Sequence, residues 1–384
     1  MNRSIIYFDN AASSWPKPNE VMSSMVSYMH ESGANPGRGS HQLAIKASRE
    51  LFETRKSIAN LFRISNPNDI FFCLNTTQAL NLAIKGFVKE NDHVICSNVE
   101  HNSVRRPLEY LKSNKHVEIT YVPTDLYGNI NLSQIKDAIK PNTKLMVLNH
   151  SSNLLGSILP IGEIGEICSK FGIIFLVDAA QTAGCIPIDV KSMGIQMLAF
   201  PGHKGLLGPQ GTGGLYVDPD IHIDPIFHGG TGSQSELIEQ PTIRPECYEA
   251  GTQNVVGMVG LRKGIEYVME ETVAKIQENE WNKTQKIMDG LMAINGLTVL
   301  GPKFGEPRTG IVSFNLKNTD ASEVSFILDH SFQIAVRSGL HCAPLAHESV
   351  GTLHSGAVRA SIGVYTTDEE IDIFIEAIKQ INVK

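Results

Sequence analysis

The sequence predicts an α/β fold: a large domain built on a mostly parallel sheet with helices on both faces, joined to a smaller α+β domain. Three observations predict it. Short apolar runs alternate with helix-period segments from residue 70 onward, the runs end abruptly in polar residues, and 384 residues exceed the usual size of one core.

Taken in order, Ile5-Ile-Tyr-Phe reads as a short strand and Asp9 to Ser14 as a polar turn. Pro16 and Pro18 open a helix over 19–31, and a loop of small residues with one arginine, 32–40, leads to a long amphipathic helix over 41–61. Ile70-Phe-Phe-Cys is a strand that turns at Asn75-Thr-Thr directly into a helix. Strands at 93–96, 117–122 and 144–148 and helices at 132–139 and 161–171 continue the alternation, with Gly172 as a C-cap. Residues 228–254 read as loop and a helix-rich segment runs from 255 to 291. The smaller domain is marked by strands at 310–315 and 334–336, a helix at 322–328, and a last helix with a Thr367/Glu370 capping box. Ile371, Phe374, Ile375 and Ile378 give that helix one apolar face. The expected division is 18–260 for the large domain and 1–17 with 261–384 for the small one.

Bulk properties exclude several function classes. With 42% hydrophobic and 19% charged residues there is no room for large-scale disorder. A net charge of −7 without a long basic block argues against nucleic-acid or anionic-membrane binding. No apolar stretch approaches the ~20 residues of a membrane helix, and Met1 to Asp9 is too short an apolar segment for a signal peptide. Six scattered cysteines without a Cys-x-x-Cys pair argue against a metal knuckle or a disulfide framework, so no metal is expected and the cytoplasm is the expected location. Cys73, Cys96 and Cys168 fall in strand-like or helical runs and read as small buried hydrophobes.

The chemistry gathers around two stretches. Ile173-Ile-Phe-Leu-Val-Asp178 is an apolar run ending in a carboxylate, and Ala199-Phe-Pro-Gly-His203-Lys204 delivers an amine into a glycine-rich turn. Ligands of open α/β sheets sit at the carboxyl edge of the strands. An acid and an amine there suit pyridoxal 5'-phosphate, with Asp178 on the ring nitrogen and Lys204 as Schiff base. Thr76 and Thr77 lie among first-turn N–H groups, a ready phosphate site. Gln181 is near enough to reach the phenolate oxygen, and His101 opens a helix where a planar ring could stack on the cofactor. Cys342 lies in a loop-like polar segment, flanked by His341, Gly339 and Pro344, and reads as a nucleophile. Arg359, at the start of an expected strand, could clamp a carboxylate. The glycines after Lys204 lack a following Gly-Lys-Ser/Thr and are not a nucleotide loop.

These residues carry a family resemblance. Tyr7-Phe-Asp-Asn-Ala-Ala, Asn75-Thr-Thr-Gln-Ala-Leu-Asn, Glu100-His-Asn, Ser152-Asn-Leu-Leu-Gly, Val177-Asp-Ala-Ala-Gln-Thr, Gly202-His-Lys-Gly-Leu-Leu-Gly-Pro-Gln-Gly, Glu249-Ala-Gly-Thr-Gln-Asn, Arg337-Ser-Gly-Leu-His-Cys-Ala-Pro and Arg359-Ala-Ser span the chain in family order. The chain resembles fold-type I pyridoxal-phosphate enzymes of the class V aminotransferase group, most of all the cysteine desulfurase and selenocysteine lyase branch. The segment around Cys342 is similar to the SufS-type group with its short cysteine loop. The resemblance implies a mixed seven-stranded sheet and Lys204, Asp178, Gln181 and His101 in the roles above. It implies Asn153 near cofactor and substrate, and Thr77 with His203 on the phosphate. Gly251 and Thr252 would reach the phosphate site of a neighbouring subunit in a homodimer. Cys342 would form a persulfide from L-cysteine, releasing L-alanine and passing sulfur to a protein acceptor, with Arg359 on the substrate carboxylate. Selenocysteine lyase, or a class V aminotransferase, epimerase or β-lyase that does not use Cys342, are the alternatives. Departures are Pro201, which removes a hydroxyl and an N–H from the phosphate site, Gln78 in place of a common glutamate, and the segment after Cys342.

Overall fold

The computed structural model describes residues 5–37 and 39–382; Arg38, the arginine of the small-residue loop, lies outside them, as do the first four residues of the segment assigned to the small domain. After strand β1 (Ile6–Tyr7) come helices α1 (Asn19–Glu31) and α2 (Gln42–Phe62). The alternating region then runs β2 (Ile70–Cys73), α3 (Thr76–Phe87), β3 (His93–Ser97), α4 (Asn102–Lys115), β4 (Glu118–Val122), α5 (Leu132–Asp137), β5 (Thr143–Asn149), α6 (Ile161–Phe171), β6 (Ile174–Asp178), β7 (Met197–Pro201) and β8 (Gly213–Val217).

These strands form the expected mixed seven-stranded sheet in the order β2-β8-β7-β6-β5-β3-β4. Only β8 runs against its neighbours. Both faces are covered, so successive residues feed two cores and the strands read as unbroken apolar runs. Val94, Cys96, Leu145 and Val147 pack under α3 and α4, while Ile95, Met146 and Leu148 face α2 and α6. Gly172 caps α6 with φ of 65°, as its position predicts.

The rest of the chain runs α7 (Val255–Glu271), α8 (Val273–Met292), β9 (Leu297–Leu300), β10 (Ile311–Leu316), α9 (Ala321–Phe332), β11 (Ile334–Ala335), β12 (Arg337–Gly339), α10 (Pro344–Ser349), β13 (Ala357–Ser361) and α11 (Asp368–Asn382). A four-stranded antiparallel sheet, β12-β13-β10-β9, packs α8, α9 and α11 around Phe314 and Phe374, and β1 pairs with β11. The last helix has its capping box: Glu370 N–H donates to Thr367 Oγ1 at 3.2 Å and Thr367 N–H to Glu370 Oε2 at 2.8 Å. Strands β9 and β12 and helix α10 are additions to the sequence-based expectation. Among the described residues no helix is long and apolar enough to cross a membrane.

Register places the polar strand ends together. Asp178, the last residue of β6, lies between Asn149 of β5 and Ala199 of β7. Lys204 follows β7 by three residues, in a turn packed against Gly184. Gly184 has φ of 88°, and a Cβ there would collide with the carbonyl oxygen of Gly205. Gly184→Ala should therefore cost about 2–4 kcal/mol of stability by urea unfolding, from a left-handed alanine plus an overpacked turn.

Candidate active site

A cavity of about 220 Å³ opens at the carboxyl edge of the large sheet. It is lined by Thr76, Thr77, His101, Asn153, Asp178, Gln181, His203, Lys204 and Arg359, so nine of the residues singled out from sequence meet there. The volume lies below the roughly 300–1,000 Å³ of drug-sized pockets, which suits a single-ring group with a small amino acid rather than a dinucleotide.

Asp178 is 3% exposed, and one carboxylate oxygen accepts the Ala180 N–H at 2.8 Å. Burial pushes its carboxyl up to about 6, against the pull of that N–H and of Lys204. The Lys204 amine is drawn down to about 8, first by burial and then by the nearby Arg359 cation, with Asp178 opposing. Lys204 is thus far closer to a neutral nucleophile at physiological pH than a solvated lysine. Its turn is pinned by the N-terminal segment: Ser14 Oγ donates to Lys204 O at 2.8 Å, and Lys17 Nζ to His203 O at 2.9 Å.

Helix α3 starts at the cavity wall. Asn75, in an extended conformation, caps it by accepting the Gln78 N–H at 3.0 Å, and the Gln78 side chain accepts the Leu74 N–H at 2.6 Å. That arrangement leaves the N–H groups of Thr76 and Thr77 outside the helical ladder and facing outward from the helix end. Thr77 Oγ1 lies 2.8 Å from Ser103 Oγ, and the buried His203 Nδ1 has no partner. Pro201 ends β7 where its missing N–H breaks no ladder, because Ala179 O already accepts from Thr182 and Ala183.

His101 is the N-cap of α4. Its Nδ1 accepts the Ser103 N–H at 3.0 Å. Burial, then the Lys204 charge, holds the imidazole down at about 4, so the ring is neutral with its proton on Nε2. The capping role and a place in the cavity wall therefore coexist. The Gln181 amide donates to Ala11 O at 3.2 Å. Asn153 donates to His341 O at 2.7 Å while its own Oδ1 has no partner.

Arg359 occupies the middle of β13 and is 1% exposed. Nη2 pairs with Asp9 Oδ1 at 2.8 Å, Nη1 donates to Asn153 O at 3.0 Å, and Nε has no partner. Directly across on β12 stands Arg337. Two cations facing each other on adjacent strands repel, and an anion between them removes the penalty. Arg337 was not singled out from sequence, nor were Asp9, Ser103 and Glu100. Glu100 is fully buried, accepts from Ser97 Oγ at 2.5 Å, and is pushed up to about 8 by burial. All four stand inside or next to the motifs that carry the resemblance, which is where a signal existed.

Cys342 is exposed and does not line the cavity, but its Sγ lies 3.9 Å from Nη2 of Arg337, which does. It sits in a tight turn, with φ of 51° at His341 and 57° at Cys342. Two successive left-handed non-glycine residues cost about 1–2 kcal/mol each, so the surroundings must hold them. Asn153 holds the His341 carbonyl, and the Asn102 N–H donates to the Cys342 carbonyl at 2.8 Å. Gly251 and Thr252 are exposed and line a separate depression of about 470 Å³, away from their own chain's Lys204 cavity.

A buried acid and a depressed amine thus stand together at the carboxyl edge of a mixed sheet. The sequence profile described as Aminotransferase class-V matches residues 6–374. A probable cysteine desulfurase of Methanothermobacter thermautotrophicus is 37% identical, covering 99% of this chain and 95% of the relative. A cysteine desulfurase of Haloferax volcanii is 30% identical over 97% of this chain and 88% of its own. The apo structure of the cysteine desulfurase from Thermococcus onnurineus NA1 superposes with a TM-score of 0.93 at 34% identity, covering 99% of this chain and 95% of that one. The chain belongs to the class-V aminotransferase family and is, within it, a pyridoxal-phosphate-dependent enzyme of the cysteine-desulfurase type.

The Lys204 environment has a direct pH consequence. An amine bonds an aldehyde only in its neutral form, so with Lys204 as the Schiff-base lysine expected from sequence, the loading rate of cofactor-free protein should climb with pH to a midpoint near 8 and then level off. Stopped-flow absorbance after addition of pyridoxal phosphate reads it; a midpoint near that of a free lysine would show that the cavity does not depress the amine.

Proposed function

We propose that the protein is a cysteine desulfurase that converts L-cysteine to L-alanine, takes the sulfur on Cys342 as a persulfide and passes it to an acceptor protein. The observation that carries this is the convergence of Asp178 and Lys204 with the facing Arg359 and Arg337 in one cavity, with the Cys342 thiol one side chain away. The residues present fit pyridoxal phosphate. The orphaned His203 Nδ1 and the first-turn N–H groups of α3 offer donors for a phosphate, and Asp178 offers a carboxylate for a protonated ring nitrogen. His101 would stack on the ring, Gln181 would reach its phenolate oxygen, and Pro201 contributes no phosphate contact. When bound, the cofactor supplies an electron sink for charge developing at the substrate α-carbon.

The chain's own residues then divide the work. Arg359, with its free Nε, and Arg337 hold the substrate carboxylate, and Asn153 Oδ1 is placed to accept from the substrate. Lys204 removes the α-proton and returns a proton at the end. Asp178 keeps the ring nitrogen protonated, its charge sustained by the Ala180 N–H and the nearby Lys204 against the cost of burial. The Cys342 thiolate attacks the substrate sulfur. An S–S bond forms as the Cβ–S bond breaks, and the electron pair of the broken bond stays with the three-carbon fragment, which takes up a proton and leaves as L-alanine.

Two further readings belong to this proposal. Gly251 and Thr252 complete the phosphate site of a second copy of the chain, a reading supported by their exposure in a depression separate from the Lys204 cavity. The chain divides into 18–260 and 1–17 with 261–384, supported by a separate core that joins Ile6 and Phe8 to residues 287–381.

Purified protein given pyridoxal phosphate, L-cysteine and a reductant should yield alanine and sulfide in equal amounts. Cys342→Ala should lose both while keeping the absorbance of bound cofactor; undiminished alanine from that variant would overturn the persulfide role. Arg359→Lys should raise KM for L-cysteine about tenfold or more, since a lysine cannot reproduce the fork that meets a carboxylate.

A further inference from the structure

The turn that carries Cys342 is tied to a chain of buried side chains that the proposed chemistry does not use. His341 Nε2 lies 3.3 Å from Arg337 O, His341 Nδ1 lies 3.4 Å from His347 Nε2, and His347 Nδ1 lies 2.8 Å from Thr352 Oγ1. The two rings are nearly parallel, with 11° between their planes and 5.7 Å between centroids. Both are buried, His347 completely.

The direction of donation follows from one end of this chain. A backbone carbonyl only accepts, so His341 carries a proton on Nε2. Burial pulls the two imidazoles down to about 3 and about 4, so each ring is neutral and holds a single proton. His341 Nδ1 is therefore an acceptor, and His347 must donate to it from Nε2. His347 Nδ1 is in turn an acceptor, filled by the Thr352 hydroxyl. With both rings neutral, one set of tautomers satisfies all three contacts.

We infer that His347 is a positioning residue for the reactive cysteine: its Nε2–H, with Nδ1 held by the Thr352 hydroxyl, locks the His341 ring, and through it the left-handed His341–Cys342 turn that keeps Cys342 Sγ beside Arg337. The inference takes the persulfide role of Cys342 as given. Its physical basis is a division of labour. Asn153 and Asn102 hold the turn's carbonyls from the large sheet side, and the histidine pair holds its side chain from below. Helix α10, which carries His347, is only six residues long and starts two residues after Cys342. So short a helix has little stability of its own and depends on anchoring contacts.

Three substitutions separate this role from simple packing. His347→Phe keeps a ring and removes both nitrogens. His347→Gln keeps an N–H where Nε2–H stood. Thr352→Val removes only the hydroxyl that anchors His347 through Nδ1. Cys342 alkylation by iodoacetamide in cofactor-free protein, followed by peptide mass spectrometry, reads the turn without any turnover. Loss of one buried hydrogen bond should cut kcat for alanine formation about tenfold in His347→Phe, with KM for L-cysteine within about twofold. Release of Sγ from Arg337 should slow Cys342 alkylation about threefold, and His347→Gln should bring both readouts back to within about threefold of wild type. A packing role predicts the opposite order, with His347→Phe near wild type and His347→Gln impaired, and that order overturns the inference; so does identical behaviour of the two. Should His347→Phe not fold, Thr352→Val carries the test: alkylation slowed about twofold upholds the inference and an unchanged rate sinks it. If alkylation follows the expected order while wild type makes no alanine from L-cysteine, the turn assignment stands and the desulfurase reading falls.

Discussion

Burying the Arg359 guanidinium is the constraint on which the site depends. A cation that is 1% exposed must recover its lost hydration from fixed partners, and an unpaired one would cost several kcal/mol. Its partners come from remote parts of the chain: Asp9 from the N-terminal turn and the Asn153 carbonyl from the segment after β5. Meeting that demand brings the N-terminal segment across the molecule. Once there, it bonds to β13 through Asn10 and Ala11 on Ser361, and to the Lys204 turn through Ser14. One buried charge thus couples the small sheet, the large sheet's rim and the lysine turn.

The same charge shapes the cavity's electrostatics. The chain carries a net charge of −7, yet Lys204, Arg359 and Arg337 all line the one cavity. The histidines around them, His101, His203 and His341, are all held neutral by burial, which keeps further repulsion out. The buried Asp178 adds to the cost of ionising Glu100, which burial already holds up. A cavity lined by those three basic side chains and one buried acid is matched by a ligand with anionic groups and one cationic ring nitrogen. A uniformly charged ligand would leave one of the two signs uncompensated.

Much of this was legible in the sequence, for identifiable reasons. The strands ending at Asp178 and before Lys204 are buried on both faces, so they read as unbroken apolar runs whose polar ends stand out. Helices α1, α6 and α11 announce themselves through proline, glycine and capping-box signals at their ends. Strand β9, four residues at a sheet edge, and β12, three residues long, have no period to detect. The Arg337–Arg359 opposition needs a register between β12 and β13 that no local pattern fixes. Asp9 escaped for a related reason: its partner lies 350 residues away.

Cys342 is the instructive case. Its polar, glycine-flanked surroundings read as loop-like, a fair inference from composition, and the backbone is a left-handed turn with both carbonyls engaged. In the proposed persulfide role, Cys342 has to meet a substrate inside the cavity and an acceptor outside it, which needs freedom somewhere. With the main chain held, the soft coordinate left is rotation about the cysteine's own χ1, a change between staggered wells rather than a loop excursion. Such a rotation swings Sγ about a fixed Cα, so the distance it covers is set by one bond vector and the turn's placement must be right to within that reach. That requirement explains why a turn with an exposed side chain is built on buried hydrogen bonds, and why strain is tolerated at two successive residues there.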